Sequence, residues 1–471
     1  MTGDLTWLPA WRIRELIGAG EISPVDVTEH FLARIAEVDP RLHAFDTVDA
    51  DGAREQAAAA ERAIRDGVEL GPLHGVPVAV MDGINVKGYR NKLWETDSSQ
   101  YDSLCVERVR AAGAIVVGTT ATYYWEPLDR PRNPWDPTKD CGNSSRGSAV
   151  AVAAGMVPLA LGMDGAGSTR LPAAWSGVVG VHPSRGLVPH TDYEHPTMVL
   201  TQTVGPMARD TRDCALALRV LAGPDGRDFV SVQQDPPDYL AHLDDGVDGL
   251  RVAWTDDYGW SRSQWVEETP ALTDFARRAA FGLAGLGAEV AETKEVWEDP
   301  RPAMFMLGSV FSAMGYVPPA SPEELAARAA KVDEAWGWHS DAPPLDLPEQ
   351  APTTSEDYRT ASESRGRNWA RFRKLFDSHD VLLSTTTPML PRPLAEWGLA
   401  GRDYTMTTYS AHTAMFNLLG LPAVSVPCGF LDGLPVGLQI AALPGREDTI
   451  LRVAQAVQRI CPIAERPASA V

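Results

Sequence analysis

Two glycine- and serine-rich turns bracket a short run of small apolar residues, and this arrangement restricts the fold more tightly than any other part of the chain. The first turn reads Gly142-Asn143-Ser144-Ser145-Arg146-Gly147-Ser148-Ala149. The second reads Gly162-Met163-Asp164-Gly165-Ala166-Gly167-Ser168-Thr169-Arg170-Leu171-Pro172. Val150 to Leu161 lies between them, long enough for a short helix and a buried strand. Read locally, Gly165 to Ser168 fits a tight strand-exit turn. The same small residues also let backbone N–H groups approach a substrate carbonyl closely, as an oxyanion hole requires.

The remaining pattern predicts an α/β sheet. Val76 to Val80 and Ala114 to Val117 are continuous apolar runs of strand length, the signature of central strands covered on both faces. Cys105 to Ala111 before the second run is helix-like. Near the N-terminus, Ser23-Pro24-Val25-Asp26 reads as a capping box with proline at the first helical position. Val27, Phe31, Leu32, Ile35 and Val38 then share one helical face, and Pro40 is expected to end that helix. Ala53 to Ile64 predicts a second helix. In the C-terminal quarter, Val381 to Leu383 and Leu421 to Phe430 read as strands. Asp432-Gly433 is a hairpin turn into Val436 to Ile440, and Glu447 to Ile460 is a final helix. Asp245 to Leu375 is rich in Trp, Asp, Glu and Pro with little sheet pattern, and is read as a mostly helical insertion in a single 1–471 domain.

Composition excludes several function classes. A chain of 471 residues with 44% apolar and 22% charged residues can bury a large core. The formal net charge of −21 argues against a nucleic-acid partner, because phosphate binding needs clustered Lys and Arg. No apolar run approaches the roughly 20 residues that cross a bilayer. The N-terminus lacks a secretory pattern. Five scattered cysteines without a CxxC pair fit reduced thiols in the cytoplasm. No phosphate loop, dinucleotide fingerprint or GxSxG elbow is present, so no cofactor is expected.

Several blocks together resemble the amidase signature family. They are Gly71 to Pro77, Asn133 to Pro137, Pro172 to Gly180, Pro183 to Gly186, Val204 to Arg209, Phe416 to Pro422 and Leu434 to Gln439, besides the two turns. The resemblance implies an α/β/α sandwich around a large mixed β-sheet. It assigns Ser168 as nucleophile and Ser144, after a cis peptide bond, as proton relay, with Ser145 beside it. It places the oxyanion hole at Gly165, Ala166, Gly167 and Ser168, and gives Asp164 and Arg170 a supporting role. Tyr123, Tyr124 and Trp125 fall where the family lines its acyl pocket, although ordinary core packing would also explain them. The Trp-rich insertion is where this family shapes substrate choice. A small-molecule carbonyl or amide substrate follows, with a homodimer left open.

The sequence departs from the family pattern at a decisive place. The strand that carries lysine followed by aspartate in the family ends here in Met81-Asp82. Methionine has no proton to give or take, so the relay would lack its base. Asn143, Arg146 and Thr119 also depart from the family pattern. Asn143 and Arg146 add bulk and charge beside the site. Arg146 suits an anionic or carbonyl-rich substrate, or is a surface arginine without catalytic duty. The readings are amide hydrolysis or acyl transfer through Ser168, a repurposed relative that condenses, cyclises or merely binds its ligand, and an engineered inactive amidase. A substrate amine could supply the base. Other candidates for that role are Asp82, Lys87, Lys92, His190 and His195. His182, His190 and His195, with Asp192 and Glu194, fit no zinc spacing, and no metal is expected.

Overall fold

In the computed structural model, which describes residues 4–92, 98–122, 130–191, 201–304, 306–307, 354–394 and 410–468, the buried apolar runs form the middle of one sheet. In chain order, α1 (Ala10–Gly18), α2 (Pro24–Leu42), β1 (Phe45–Val48) and α3 (Ala50–Arg65) lead into β2 (Pro77–Met81), α4 (Leu104–Ala111) and β3 (Ile115–Thr120). Next come α5 (Arg146–Ala153), β4 (Leu159–Asp164), α6 (Arg170–Ser176), β5 (Val179–His182), β6 (Thr203–Ala208) and α7 (Thr211–Leu221). They are followed by β7 (Arg251–Trp254), α8 (Thr269–Gly282), β8 (Glu289–Glu292), α9 (Ser355–Leu375) and β9 (Val381–Thr385). The chain closes with α10 (Ala414–Leu419), β10 (Ala423–Leu431), β11 (Leu434–Ala441) and α11 (Glu447–Ile460).

The 11-stranded sheet runs β1-β3-β2-β4-β6-β5-β10-β11-β9-β7-β8. It is mixed. β2 lies parallel to both β3 and β4, whereas β4, β6, β5, β10, β11 and β9 pair antiparallel in succession. Every residue of β2 and β4 is buried, which is why their sequences show no alternation. Val78 and Val80 join an apolar cluster with Val106, Val109 and Leu218 of α4 and α7. Ala79 and Ala160 join a separate cluster with Ile35 of α2 and with Val150 and Val152 of α5. Helices therefore cover both faces, giving the α/β/α sandwich that the resemblance implies.

Two details differ from expectation. α2 runs through Pro40 to Leu42 instead of ending there, and closes on His43 in the left-handed region (φ 53°), whose N–H donates to the carbonyl of Asp39. Proline removes one N–H donor from the last turn, a loss that a helix end tolerates better than its interior. The segment 245–375 also contributes strands: β7 and β8 lie parallel at one edge of the sheet, beside β9. β8 escaped the sequence reading because it is a four-residue edge strand that is mostly exposed. Among the described residues no helix is long and apolar enough to cross a membrane.

Candidate active site

β2 and β4 are parallel neighbours, so they bring their C-terminal ends, Met81 and Asp164, to the same edge of the sheet. In α/β sheets that edge is where ligands bind. The Gly142–Ser145 turn enters α5 at this edge, and the Gly165–Thr169 turn leaves β4 for α6. The N–H of Ser145 donates to the carbonyl of Ser168 at 3.0 Å, so the two turns are joined through the backbone. The Asn143–Ser144 peptide bond is cis, as the resemblance implies. Gly162 lets the first turn cross β4 closely, since a Cβ there would lie 2.6 Å from Ser145 Oγ.

Ser144 and Ser168 are each half-buried, and Ser145 is fully buried. Among the described residues no hydrogen bond links the Ser144 and Ser168 hydroxyls. Met81 is also fully buried, and its thioether meets Ser145 instead of Ser144. Sδ lies 3.1 Å from Ser145 Oγ and 3.2 Å from the Met163 nitrogen. Ser145 Oγ stands 3.1 Å from both the carbonyl and the nitrogen of Met163. One hydroxyl proton is thus shared between the Met163 carbonyl and the sulfur, and one amide proton between the hydroxyl and the sulfur. Sulfur accepts weakly and cannot take up the proton.

The second turn is built around Asp164. Its carboxylate accepts from the N–H groups of Gly167 (2.6 Å) and Thr169 (3.2 Å), from Asn417 Nδ2 (2.9 Å) and from Arg170 Nε and Nη2 (2.9 and 3.0 Å). Arg170 continues to Gln439 Oε1 (2.8 Å), Asn417 Oδ1 (2.5 Å) and the Thr413 carbonyl (3.2 Å). Both partners are fully buried. Burial pushes the Asp164 carboxyl up, but Arg170 and the other donors outweigh it and hold the group well below the ordinary carboxylate range. The N–H groups of Gly165, Ala166 and Ser168 have no acceptor among the described residues. Gly167 departs from its expected place among the oxyanion donors, because its N–H is engaged by Asp164.

Other candidates separate clearly. Asn143 and Arg146 are 3% and 0% exposed, so the surface-arginine reading of Arg146 fails. Tyr123, Tyr124, Trp125, Asp192, Glu194 and His195 lie outside the described residues. The Lys92 ammonium is paired with Asp46, and Lys87 is exposed. Asp82 is buried and accepts from the Lys92 N–H at 3.0 Å. His190 is half-buried, its N–H on Asp228 at 2.9 Å. His182 is buried near Asp164 and Arg170. Burial, reinforced by Arg170, drives its pKa down to about 3 and keeps it neutral. No group of three or more His, Cys, Asp or Glu among the described residues could hold a metal. Sequence reasoning assigned no role to Thr413, Asn417 or Gln439. The available signal was polar residues inside apolar segments such as Phe416-Asn417-Leu418 and Leu438-Gln439-Ile440.

A family model described as Amidase matches residues 26–451. The chain belongs to the amidase family. Its members act on C–N bonds, as amide hydrolases or amidotransferases. The chain is 34% identical to a glutamyl-tRNA(Gln) amidotransferase subunit from Roseiflexus sp. (strain RS-1), a match covering 95% of each chain. Among solved structures, a bacterial aryl acylamidase of the amidase signature family superposes with a TM-score of 0.82 at 26% identity, covering 98% of both chains. The native peptide amidase of Stenotrophomonas maltophilia superposes with a TM-score of 0.79 at 26% identity, covering 99% of both.

Proposed function

We propose that this amidase-family chain performs acyl chemistry on a small amide through Ser168, with Met81 standing where its relatives carry a lysine base. The observation that carries this reading is the turn after β4, where the N–H groups of Gly165, Ala166 and Ser168 have no acceptor among the described residues and lie beside a half-buried serine. Ser168 Oγ attacks the amide carbonyl, and the developing oxyanion is received by those N–H groups. The serine proton is taken up by an amine of the substrate and passed to the leaving nitrogen as the C–N bond breaks. The Ser144 hydroxyl, which has no hydrogen bond to Ser168 among the described residues, acts as relay only once substrate bridges the two. Water or another acceptor then takes the acyl group. Because the thioether of Met81 cannot hold the proton in transit, the amine of the substrate itself is the base this site calls for. A missing general base costs roughly 10²–10⁴-fold in rate. Aryl and peptide amides, which the solved relatives are named for, are the first substrates to try. The acidic balance of the chain favours a small molecule over a polynucleotide.

A second reading, in which a repurposed relative binds or rearranges its ligand without an acyl-enzyme, is favoured by the packing of Met81. Its sulfur is buried against Ser145 and the Met163 N–H, so position 81 is an integrated part of the core. Ser168→Ala separates the readings. Across a panel of aryl amides and amines bearing an amide, the first reading expects turnover to be lost, and turnover surviving the change would select the second.

A further inference from the structure

The amide plane between Ala166 and Gly167 is gripped at both edges. On one edge the Gly167 N–H donates to Asp164 Oδ1 at 2.6 Å. On the other, Thr413 Oγ1 donates to the Ala166 carbonyl at 2.7 Å, a shorter contact than its alternative acceptor, the Ser410 carbonyl at 3.2 Å. A peptide unit is planar, so fixing its oxygen and its nitrogen together fixes its rotation. The neighbouring N–H groups, of Ala166 and Ser168, lie in the two peptide units that hinge on this plane through one Cα each, so holding the plane restricts where they can point. Gly167 has φ 117°, and a Cβ at this position would lie 2.2 Å from Thr413 Oγ1, so the contact is as close as a glycine backbone permits.

Thr413 is itself held. Arg170 Nη1 donates to its carbonyl at 3.2 Å, which closes a ring of hydrogen bonds from Thr413 through the turn to Asp164, Arg170 and back. The adjoining His412 ring lies 2.9 Å from Ser261 Oγ and 2.8 Å from Thr385 Oγ1, and its carbonyl accepts from Gln439 Nε2 at 2.8 Å. Thr413 is fully buried, and its hydroxyl is spent on the Ala166 and Ser410 carbonyls.

We propose that Thr413 is a positioning residue that aims the Ala166 and Ser168 N–H groups at the oxyanion by holding the Ala166 carbonyl. This rests on the Ser168 reading above. The test is the rate at which a fluorophosphonate probe phosphonylates Ser168 in the full chain, followed by intact-protein mass spectrometry. In that step Ser168 Oγ bonds to phosphorus, fluoride leaves, the serine proton passes to solvent, and the phosphoryl oxygen occupies the oxyanion position. Thr413→Val keeps the shape and removes the donor, and is expected to slow labelling about tenfold or more. Thr413→Ser restores the hydroxyl and is expected to label within about threefold of the parent.

Equal rates for Thr413→Val and the parent would overturn the proposal, as would a loss that Thr413→Ser does not rescue. If Thr413→Val fails to fold, Thr413→Ala is read in its place. If the parent does not label, the series is run with Met81→Lys added. Absence of labelling in both parents, with folded protein, sinks the Ser168 reading and this proposal with it, whereas labelling that is indifferent to residue 413 sinks only the latter.

Discussion

Met81 and His182 show how single buried side chains set what this site can do. Met81 stood out in the sequence because the resemblance expects a lysine at this strand end, and the proposed function rests on that difference. Its partner was not legible, since which serine a side chain meets depends on how the first turn crosses Gly162, and the structure gives Ser145. His182 illustrates a cost that sequence hides. Neither ring nitrogen has a partner among the described residues, and burial lowers its pKa from 6.5 to about 3. The unfolded chain therefore binds a proton in a range where the folded one does not. The associated stability is fully present above about pH 6.5 and is lost as pH falls toward 3, at about 1.4 kcal/mol per pH unit. His412, lowered to about 4, adds the same sign over a narrower window. His182→Leu should leave stability at pH 8 within about 1.5 kcal/mol of the parent. Its urea-unfolding free energy should fall less steeply between pH 6 and 4. An unchanged slope would count against a neutral buried ring.

At the scale of elements, the candidate site is the meeting of two strand ends and two turns, the second turn built around a buried ion pair. The elements were legible. Val76 to Val80 reads as a central strand because both faces are covered, and Asp432-Gly433 reads as a hairpin because both residues adopt positive φ, 53° and 77°. What was not legible is that Asn417 and Gln439, far away in sequence, complete the shell of Arg170. Removing one partner of a buried pair strands the other charge, typically at a cost of about 3–5 kcal/mol. Arg170→Met should lower unfolding free energy by that amount in chemical denaturation, because Asp164 would keep only neutral donors. A loss below about 1 kcal/mol would mean that the pair is peripheral to the turn.

For the whole molecule, sheet order and chain order disagree in an informative way. β10 and β11 come from the C-terminal quarter, yet lie inside the sheet between β5 and β9. β5 therefore depends on β10 for one edge, and Thr413 reaches the second turn from the same late part of the chain. A chain ending after Thr387 would expose the paired edges of β5 and β9 and lose the ring around Asp164. It should show no cooperative unfolding transition by circular dichroism, and a sharp transition would contradict this picture of one sheet. The segment 245–375 was the least readable part, because β7 and β8 are only four residues each and β8 is mostly exposed. Periodicity needs more residues than that to declare a strand.

The most direct measurement of the central claim is steady-state hydrolysis of simple aryl amides by Met81→Lys, beside the parent and the double variant Met81→Lys/Ser168→Ala. The account predicts a gain of about 10²-fold or more over the parent between pH 7 and 9, as a desolvated lysine loses its proton, and its abolition in the double variant. A folded Met81→Lys protein no faster than the parent, or a gain that persists without Ser168, would contradict it.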